Sequence, residues 1–191
     1  MTLLLVLAAL LALFLAQRWP DLARTMALPA LLLCVIAGLT LPDIDQSLPL
    51  DHRSAVTHSI APALLALARR WARPVAGGLA FGLGLHLSAD VFPNAMIGFA
   101  TVKLPFAGSI GPDASYFWLA GNALAAMAIG GWLLREAVAA RLLRVAALAV
   151  IALIGVSYLI SVDGGWPALA IFLVAGWAAF RWRGAALARP G

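Results

Sequence analysis

The sequence predicts an all-α integral membrane protein, a bundle of about seven transmembrane helices forming a single domain over residues 1–191. Hydrophobic residues make up 64% of the chain, and the mean hydropathy is +0.99. Charged residues make up 11%, against about 25% in soluble domains. A chain of this composition has too little polar residue content to cover a soluble core, so we place it in a membrane.

Apolar runs bounded by proline, glycine or charged residues define the predicted spans, at residues 2–16, 26–41, 54–71, 74–91, 116–134, 142–161 and 166–180. The first run is short for a span, which needs about 20 residues. A cleaved signal peptide is the alternative, but no positive residue precedes the run. We therefore favour a retained helix, followed by a loop at residues 17–24.

Basic residues predict the orientation of the chain. The net charge is +5, and eleven of the thirteen Lys and Arg residues fall in alternate connections or beyond the last span. The positive-inside rule makes that side cytoplasmic, together with the C-terminus, and turns residues 42–53 outward. No basic run with interleaved aromatics occurs, so we expect no nucleic-acid partner. Cys34 is the only cysteine, which excludes an internal disulfide and a CxxC site.

Polar side chains are concentrated where spans two, three and four reach the outer side. The sequence there is LPDIDQSLPLDHRSAVTHS, residues 41–59, and HLSAD, residues 86–90. The His and Asp side chains that could bind a metal are Asp43, Asp45, His52, His58, His86 and Asp90. Imidazole and carboxylate suit a divalent ion. We expect zinc first, with manganese or iron as alternatives, and one or two ions.

The spacing within these segments suggests roles. His86 and Asp90 are four residues apart and share one helix face, which Gly78 and Gly82 continue as a surface for close helix packing. A bound ion would lower the pKa of a water molecule towards about 7. We expect Arg53 to bind an anionic oxygen of the substrate and Asp43 to be a ligand or the general base.

Each of these residues has a simpler interpretation. Asp43 and Asp45 are also what an exposed helix end would carry, and His52 is also compatible with an interfacial histidine that has no partner. His58 and His86 are compatible with an interhelical hydrogen bond, although ionisable groups inside spans usually mark function. Residues 96–106 are too apolar for water and too broken to span, so we expect an interfacial lid over the site.

Three motifs resemble a known family. LPDID, HRSAVTHS and HLSAD, in this order, are similar to elements of the membrane-bound metal-dependent hydrolases typified by the YdjM-type bacterial inner-membrane proteins. The resemblance covers roughly residues 35–110, with the motif core at 41–110. It implies metal binding by the six residues above with Arg53 close by, and a multi-pass protein of the bacterial inner membrane.

These observations predict an enzyme, a metal-dependent hydrolase that cleaves a phosphoester or ester at the outer face of the membrane. The expected substrate is a lipid or a lipid-linked small molecule, because the site lies near the bilayer. A divalent-cation or proton transporter using the same cluster is the first alternative. A structural membrane metalloprotein without catalysis is the second.

Overall fold

A computed structural model describes the backbone of residues 1–187 and the side chains of residues 1–178. The described part holds seven α-helices: α1 Thr2–Ala16, α2 Pro20–Thr40, α3 Ala61–Leu67, α4 Arg73–Asp90, α5 Pro112–Ala137, α6 Arg141–Leu159 and α7 Gly165–Leu187. Short 3-10 turns lie at Pro42–Ser47, Arg70–Ala72 and Gly98–Ala100, and a small hairpin pairs β1 Lys103–Leu104 with β2 Gly108–Ser109.

Helix α4 is the centre of the bundle, and every residue from Pro74 to Leu87 is buried. It lies mainly against α2 and α5. The contact with α2 depends on glycine, because a Cβ on Gly78 or Gly82 would overlap the carbonyl oxygens of Leu31 and Val35. The expected close packing through the Gly78 and Gly82 face is confirmed, and it fixes the rotation of α4 relative to α2.

The helices run alternately up and down, which gives the bundle two chemically different ends. Thr2 at the start of α1 contacts Thr40 at the end of α2, with 2.7 Å between the hydroxyl oxygens. At the other end Phe14 contacts Trp71, and Arg73 pairs with Glu136 at 2.7 Å. The basic residues between 18 and 24, 69 and 73, and 135 and 144 therefore share one end. The polar motifs share the opposite end.

Three helices in the described part are long and apolar enough to cross a membrane, namely α2, α5 and α6. Helix α1 and the stretch Gly165–Ala178 of α7 are apolar but shorter. The all-helical, membrane-like class is confirmed in this form. The count of seven spans is not confirmed.

The predicted third span, residues 54–71, is wrong. Only Ala61–Leu67 is α-helical, and residues 51–60 form a mostly buried series of turns. The backbone groups of this segment bond elsewhere: Ser54 N–H to Asp45, Ile60 N–H to Asn122, and the His58 carbonyl to Trp118. Irregular backbone is compatible with a membrane where protein surrounds it. Hydrogen bonds to polar groups of other elements thus take the place of the helical backbone hydrogen bonds that hydropathy predicted.

Two helix starts also differ from prediction. Helix α2 begins at Pro20 instead of Met26, and α5 begins at Pro112 instead of Tyr116. In both cases proline occupies the first helical position, where no helical hydrogen bond requires a backbone N–H. An acidic residue follows in the first turn, Asp21 or Asp113, which the helix dipole favours. The side chains of Arg181 and Arg183, all of Arg189, and the C-terminus lie outside the described residues.

Candidate metal centre

Four elements bring the predicted polar residues together at one end of the bundle. The turn after α2 carries Asp43 and Asp45, and the last turns of α4 carry His86 and Asp90. The irregular segment 51–60 carries His58 into the same place. Helix α6 adds a residue that the sequence motifs do not include, Tyr158.

The atoms that converge are two imidazole nitrogens and two carboxylate oxygens. Asp90 Oδ2 lies 3.3 Å from His58 Nε2 and 3.3 Å from His86 Nε2. Asp43 Oδ1 lies 4.0 Å from His86 Nε2. The potential ligand atoms of Asp43, His58 and His86 are all within 4.8 Å of one another. This set of four residues, named here the convergent cluster, comes from the six that the sequence suggested.

His86 is oriented by contacts at Nδ1, the ring nitrogen that does not face Asp90. Its Nδ1 lies 2.8 Å from the Leu39 carbonyl oxygen and 2.9 Å from the Tyr158 hydroxyl. A carbonyl oxygen only accepts, so Nδ1 carries the proton and donates to Leu39. In the neutral ring Nε2 then has a free lone pair, and it faces Asp90. This is the arrangement by which proteins prepare a metal-binding histidine.

His58 is prepared in the same way by Asp45. His58 Nδ1 lies 3.1 Å from Asp45 Oδ2, which also accepts bonds from Ser54 N–H at 3.0 Å and the Thr57 hydroxyl at 3.1 Å. Burial raises the pKa of Asp45, but the hydrogen bonds from His58, Ser54 and Thr57 outweigh burial and hold the pKa below its ordinary value. Asp45 is therefore an ionised acceptor behind His58, and the structure does not place it with the four convergent residues.

His52 also stands apart from the convergent cluster. Its Nδ1 faces Asp45 Oδ1 at 3.8 Å, and its ring stacks on Phe99 with centroids 4.0 Å apart. Burial lowers the pKa of His52, which keeps the imidazole neutral near pH 7. Phe99 belongs to the segment that we expected to form a lid, so this segment covers the His52 flank of the site.

Arg53 contacts the convergent cluster through Asp90. One terminal nitrogen donates to Asp90 Oδ1 at 2.8 Å. The other donates to the carbonyl oxygens of Ala100 at 2.6 Å and Asp90 at 3.2 Å. The guanidinium is nearly buried, and the backbone of Arg53 has a positive φ of 59°. Left-handed backbone at a non-glycine residue is strained and is kept where surrounding contacts fix it. Arg53 thus joins Asp90 to residues 96–100.

The convergent cluster fits a bound divalent ion. His58 Nε2 and Asp90 Oδ2 are buried and have no hydrogen-bond partner within the described part of the chain. Leaving such atoms unpaired is costly. Ligand atoms around a tetrahedral zinc, with bonds of about 2.0–2.1 Å, lie about 3.3 Å apart, which is the distance from Asp90 Oδ2 to His58 Nε2 and to His86 Nε2. A cation between them would satisfy atoms that the protein leaves without donors.

Several supporting residues were missed by sequence analysis. Trp118 donates to the His58 carbonyl at 2.8 Å, and Asn122 accepts from Ile60 N–H at 3.0 Å. Both lie on α5 and hold the irregular segment in place. Tyr158 supports His86 from α6. In the sequence, the one signal for these residues is a polar or amphipathic side chain in an otherwise apolar helix. Such a side chain indicates that it has a partner but does not identify the partner.

Comparison with protein-family models, with curated proteins and with solved structures found no match for this chain. The resemblance to membrane-bound metal-dependent hydrolases therefore stays a prediction. The argument for function depends on the geometry of the convergent cluster.

Proposed function

We propose that this protein is a metal-dependent hydrolase embedded in a membrane, acting on a phosphoester or ester bond of an amphiphilic, lipid-like substrate. The observation that carries the proposal is the triangle of His58 Nε2, His86 Nε2 and Asp90 Oδ2, with both contacts to Asp90 at 3.3 Å and two of the atoms without donors. Two imidazoles, a carboxylate and an open fourth position are typical of catalytic zinc sites. Zinc is our first choice of metal.

An ion bound there would act as a Lewis acid, polarising a phosphoryl or carbonyl oxygen and lowering the pKa of water. The protein's own residues would hold the ion and accept the proton of the attacking water. His58 and His86 can each direct the Nε2 lone pair at an ion, because their Nδ1–H groups donate hydrogen bonds to the Asp45 carboxylate and the Leu39 carbonyl. Asp43 is the exposed member of the convergent cluster. Its carboxylate is suited to complete the ligand set or to accept a proton from the attacking water.

We assign Arg53 a positioning role in place of the substrate-binding role expected from the sequence. Both of its terminal nitrogens already donate to Asp90 or Ala100. The ion pair fixes one Asp90 oxygen and leaves the other facing His58 and His86. Arg53 therefore orients a ligand of the proposed ion.

The close packing of α2 against α4 supports hydrolysis over transport. A transported ion needs a polar route to the other side of the bundle. Below the site, α2 and α4 meet through Gly78 and Gly82 with no room for a Cβ, which leaves no passage between them. Catalysis is favoured over a purely structural site because Asp43 leaves one side open.

We propose that the protein is a multi-pass protein of the bacterial inner membrane, with this site facing the periplasm. The support is the clustering of basic residues at the end of the bundle opposite to the site. The C-terminus would then be cytoplasmic.

The proposed activity is tested with purified protein reconstituted with zinc and a panel of phospholipids and long-chain esters. Mass spectrometry of the products should detect cleavage that requires zinc and is absent in His86→Ala. Zinc binding without cleavage of any panel member would favour the structural alternative. Zinc-dependent uptake into vesicles would favour transport.

A further inference from the structure

A polar cavity of about 380 Å³ lies beside the hairpin of β1 and β2. Ser54 and Lys103 line it as neighbours, because Lys103 N–H donates to the Arg53 carbonyl at 3.0 Å and Ala55 N–H donates to the Lys103 carbonyl at 2.8 Å. Asp51 and the hairpin turn complete its walls. Within the described chain, no residue of the convergent cluster lines this cavity. It is therefore distinct from the candidate metal centre.

Opposite charges line the cavity without neutralising each other. The Lys103 ammonium donates to the Phe99 carbonyl at 2.7 Å and lies 5.5 Å from the centre of the Phe99 ring. This contact fixes its position and uses one of its three N–H donors. Asp51 is exposed, and the described part of the chain gives its carboxylate no ion pair. Burial lowers the pKa of Lys103, and Asp51 is the strongest of the charges that oppose this shift, so the two groups act on each other across the cavity.

The rim of the cavity is apolar and close to the start of a long apolar helix. Leu104 is 40% exposed, and Phe106 is fully exposed. The hairpin ends three residues before α5 begins at Pro112, and α5 is long and apolar enough to cross a membrane. The cavity therefore lies near the membrane boundary, where lipid head groups meet hydrocarbon.

We propose that this cavity binds a phospholipid whose head group carries a phosphate and a primary ammonium, as in phosphatidylethanolamine. The phosphate would accept hydrogen bonds from the remaining N–H groups of Lys103, and the ligand's ammonium would donate to Asp51. The acyl chains would leave the cavity past Leu104 and Phe106. A purely anionic head group would leave Asp51 unpaired beside a second negative charge, and the quaternary ammonium of a choline head group has no N–H to donate. Binding of this kind needs no metal and is independent of the proposed hydrolase activity.

The test is native mass spectrometry of the full chain in detergent, after a chelator has removed any metal. Phosphatidylethanolamine, phosphatidylcholine and phosphatidylglycerol with identical acyl chains are added at equal concentration, and the fraction of protein that retains each lipid is measured. Soluble phosphoethanolamine is added as a competitor. Asp51→Asn and Lys103→Gln each remove one charge from the cavity. Asp113→Asn is the matched control, because Asp113 is also exposed but lies in the first turn of α5, outside the cavity.

We expect wild type and Asp113→Asn to retain phosphatidylethanolamine in preference to the other two lipids. Asp51→Asn and Lys103→Gln should each weaken this binding by about tenfold, the loss typical of one hydrogen bond to a charged group. Circular dichroism verifies that each variant keeps its helical content. Equal retention of the three lipids by wild type, or equal behaviour of Asp51→Asn and Asp113→Asn, would overturn the proposal. Displacement of the lipid by an equal concentration of phosphoethanolamine would also overturn it, because the ligand would then be the free zwitterion and not a lipid.

Discussion

The Tyr158 hydroxyl lies 2.9 Å from His86 Nδ1 although 72 residues separate the two along the chain. Their rings also stack, with centroids 6.1 Å apart. Because Leu39 and Tyr158 both contact this nitrogen, they hold the tautomer that leaves Nε2 free. Helix α6, which lies outside the region of sequence resemblance, therefore contributes directly to the geometry of the candidate centre.

Tyr158→Phe should weaken metal binding without removing it. Loss of a hydrogen bond to a metal-binding histidine typically costs about 10–100-fold in affinity. Titration with zinc or cobalt measures the change, and the cobalt absorption spectrum at saturation should shift as His86 reorients. Tyr116→Phe is the control, because Tyr116 is the other tyrosine and makes no described contact with the cluster. Identical affinities for both variants would contradict the role assigned to Tyr158.

His86→Ala should abolish retention of the metal by folded protein, since it removes one of the two nitrogen ligands. His52→Ala should retain the metal, because His52 faces Asp45 and not the convergent atoms. Elemental analysis after dialysis distinguishes the two, with circular dichroism confirming helical content. If His52→Ala also lost its ion, the division of the six predicted ligands into two groups would be incorrect.

Arg53→Ala should loosen residues 96–100 and weaken metal binding without abolishing it, because Arg53 orients Asp90. Arg53 bonds the Ala100 carbonyl at 2.6 Å, so its removal detaches this segment from Asp90. Limited proteolysis should cut the variant faster within 96–100, and a metal titration should show a lower affinity than in wild type. Arg24→Ala, which removes only an exposed ion pair with Asp21, is the control. Unchanged proteolysis would mean that other contacts hold the segment.

Gly82→Ala should destabilise the bundle by about 1–3 kcal/mol or more, because its Cβ meets the Val35 carbonyl and neither backbone can withdraw easily. Gly121→Ala provides the comparison, since open space surrounds that helical position. There alanine should be neutral or stabilising by up to about 1 kcal/mol. Thermal unfolding of the metal-free proteins in detergent measures both. A similar midpoint for the two variants would refute the close approach of α2 and α4.

Orientation can be tested with single cysteines, because the native Cys34 is buried. Ser47→Cys lies beside the site and Arg24→Cys lies at the basic end, and both positions are exposed. A membrane-impermeant maleimide applied to intact cells should label Ser47→Cys, and should label Arg24→Cys only after permeabilisation. The reverse pattern would place the candidate centre on the cytoplasmic side.

The positions that follow from the periodicity of a helix were predicted correctly from the sequence. His86 and Asp90 were expected on one helix face, and Gly78 and Gly82 on a close-packing continuation of it. Both follow from spacing within α4 alone. The convergence of Asp43 and His58 with them was also accessible, since three predicted spans brought their polar ends to one side.

The remaining features depend on contacts between distant elements. Hydropathy predicted a helix through residues 54–60, but Asp45, Trp118 and Asn122 supply partners that stabilise turns there. The placement of Asp45 behind His58 depends on the 3-10 turn after α2, for which the motif carries no signal. Tyr158 could not be assigned because nothing in its local sequence indicates which residue it faces.

The irregular segment at residues 51–60 also constrains the order in which the molecule can be assembled. Its backbone partners on α5 are synthesised about sixty residues after it, and Tyr158 follows later still. Until α5 reaches the bilayer, these peptide groups need water or a provisional partner, because hydrocarbon offers none. The segment therefore acquires these hydrogen bonds only after α5 has been synthesised. The contacts that support the convergent cluster would then be complete only once α6 has been synthesised.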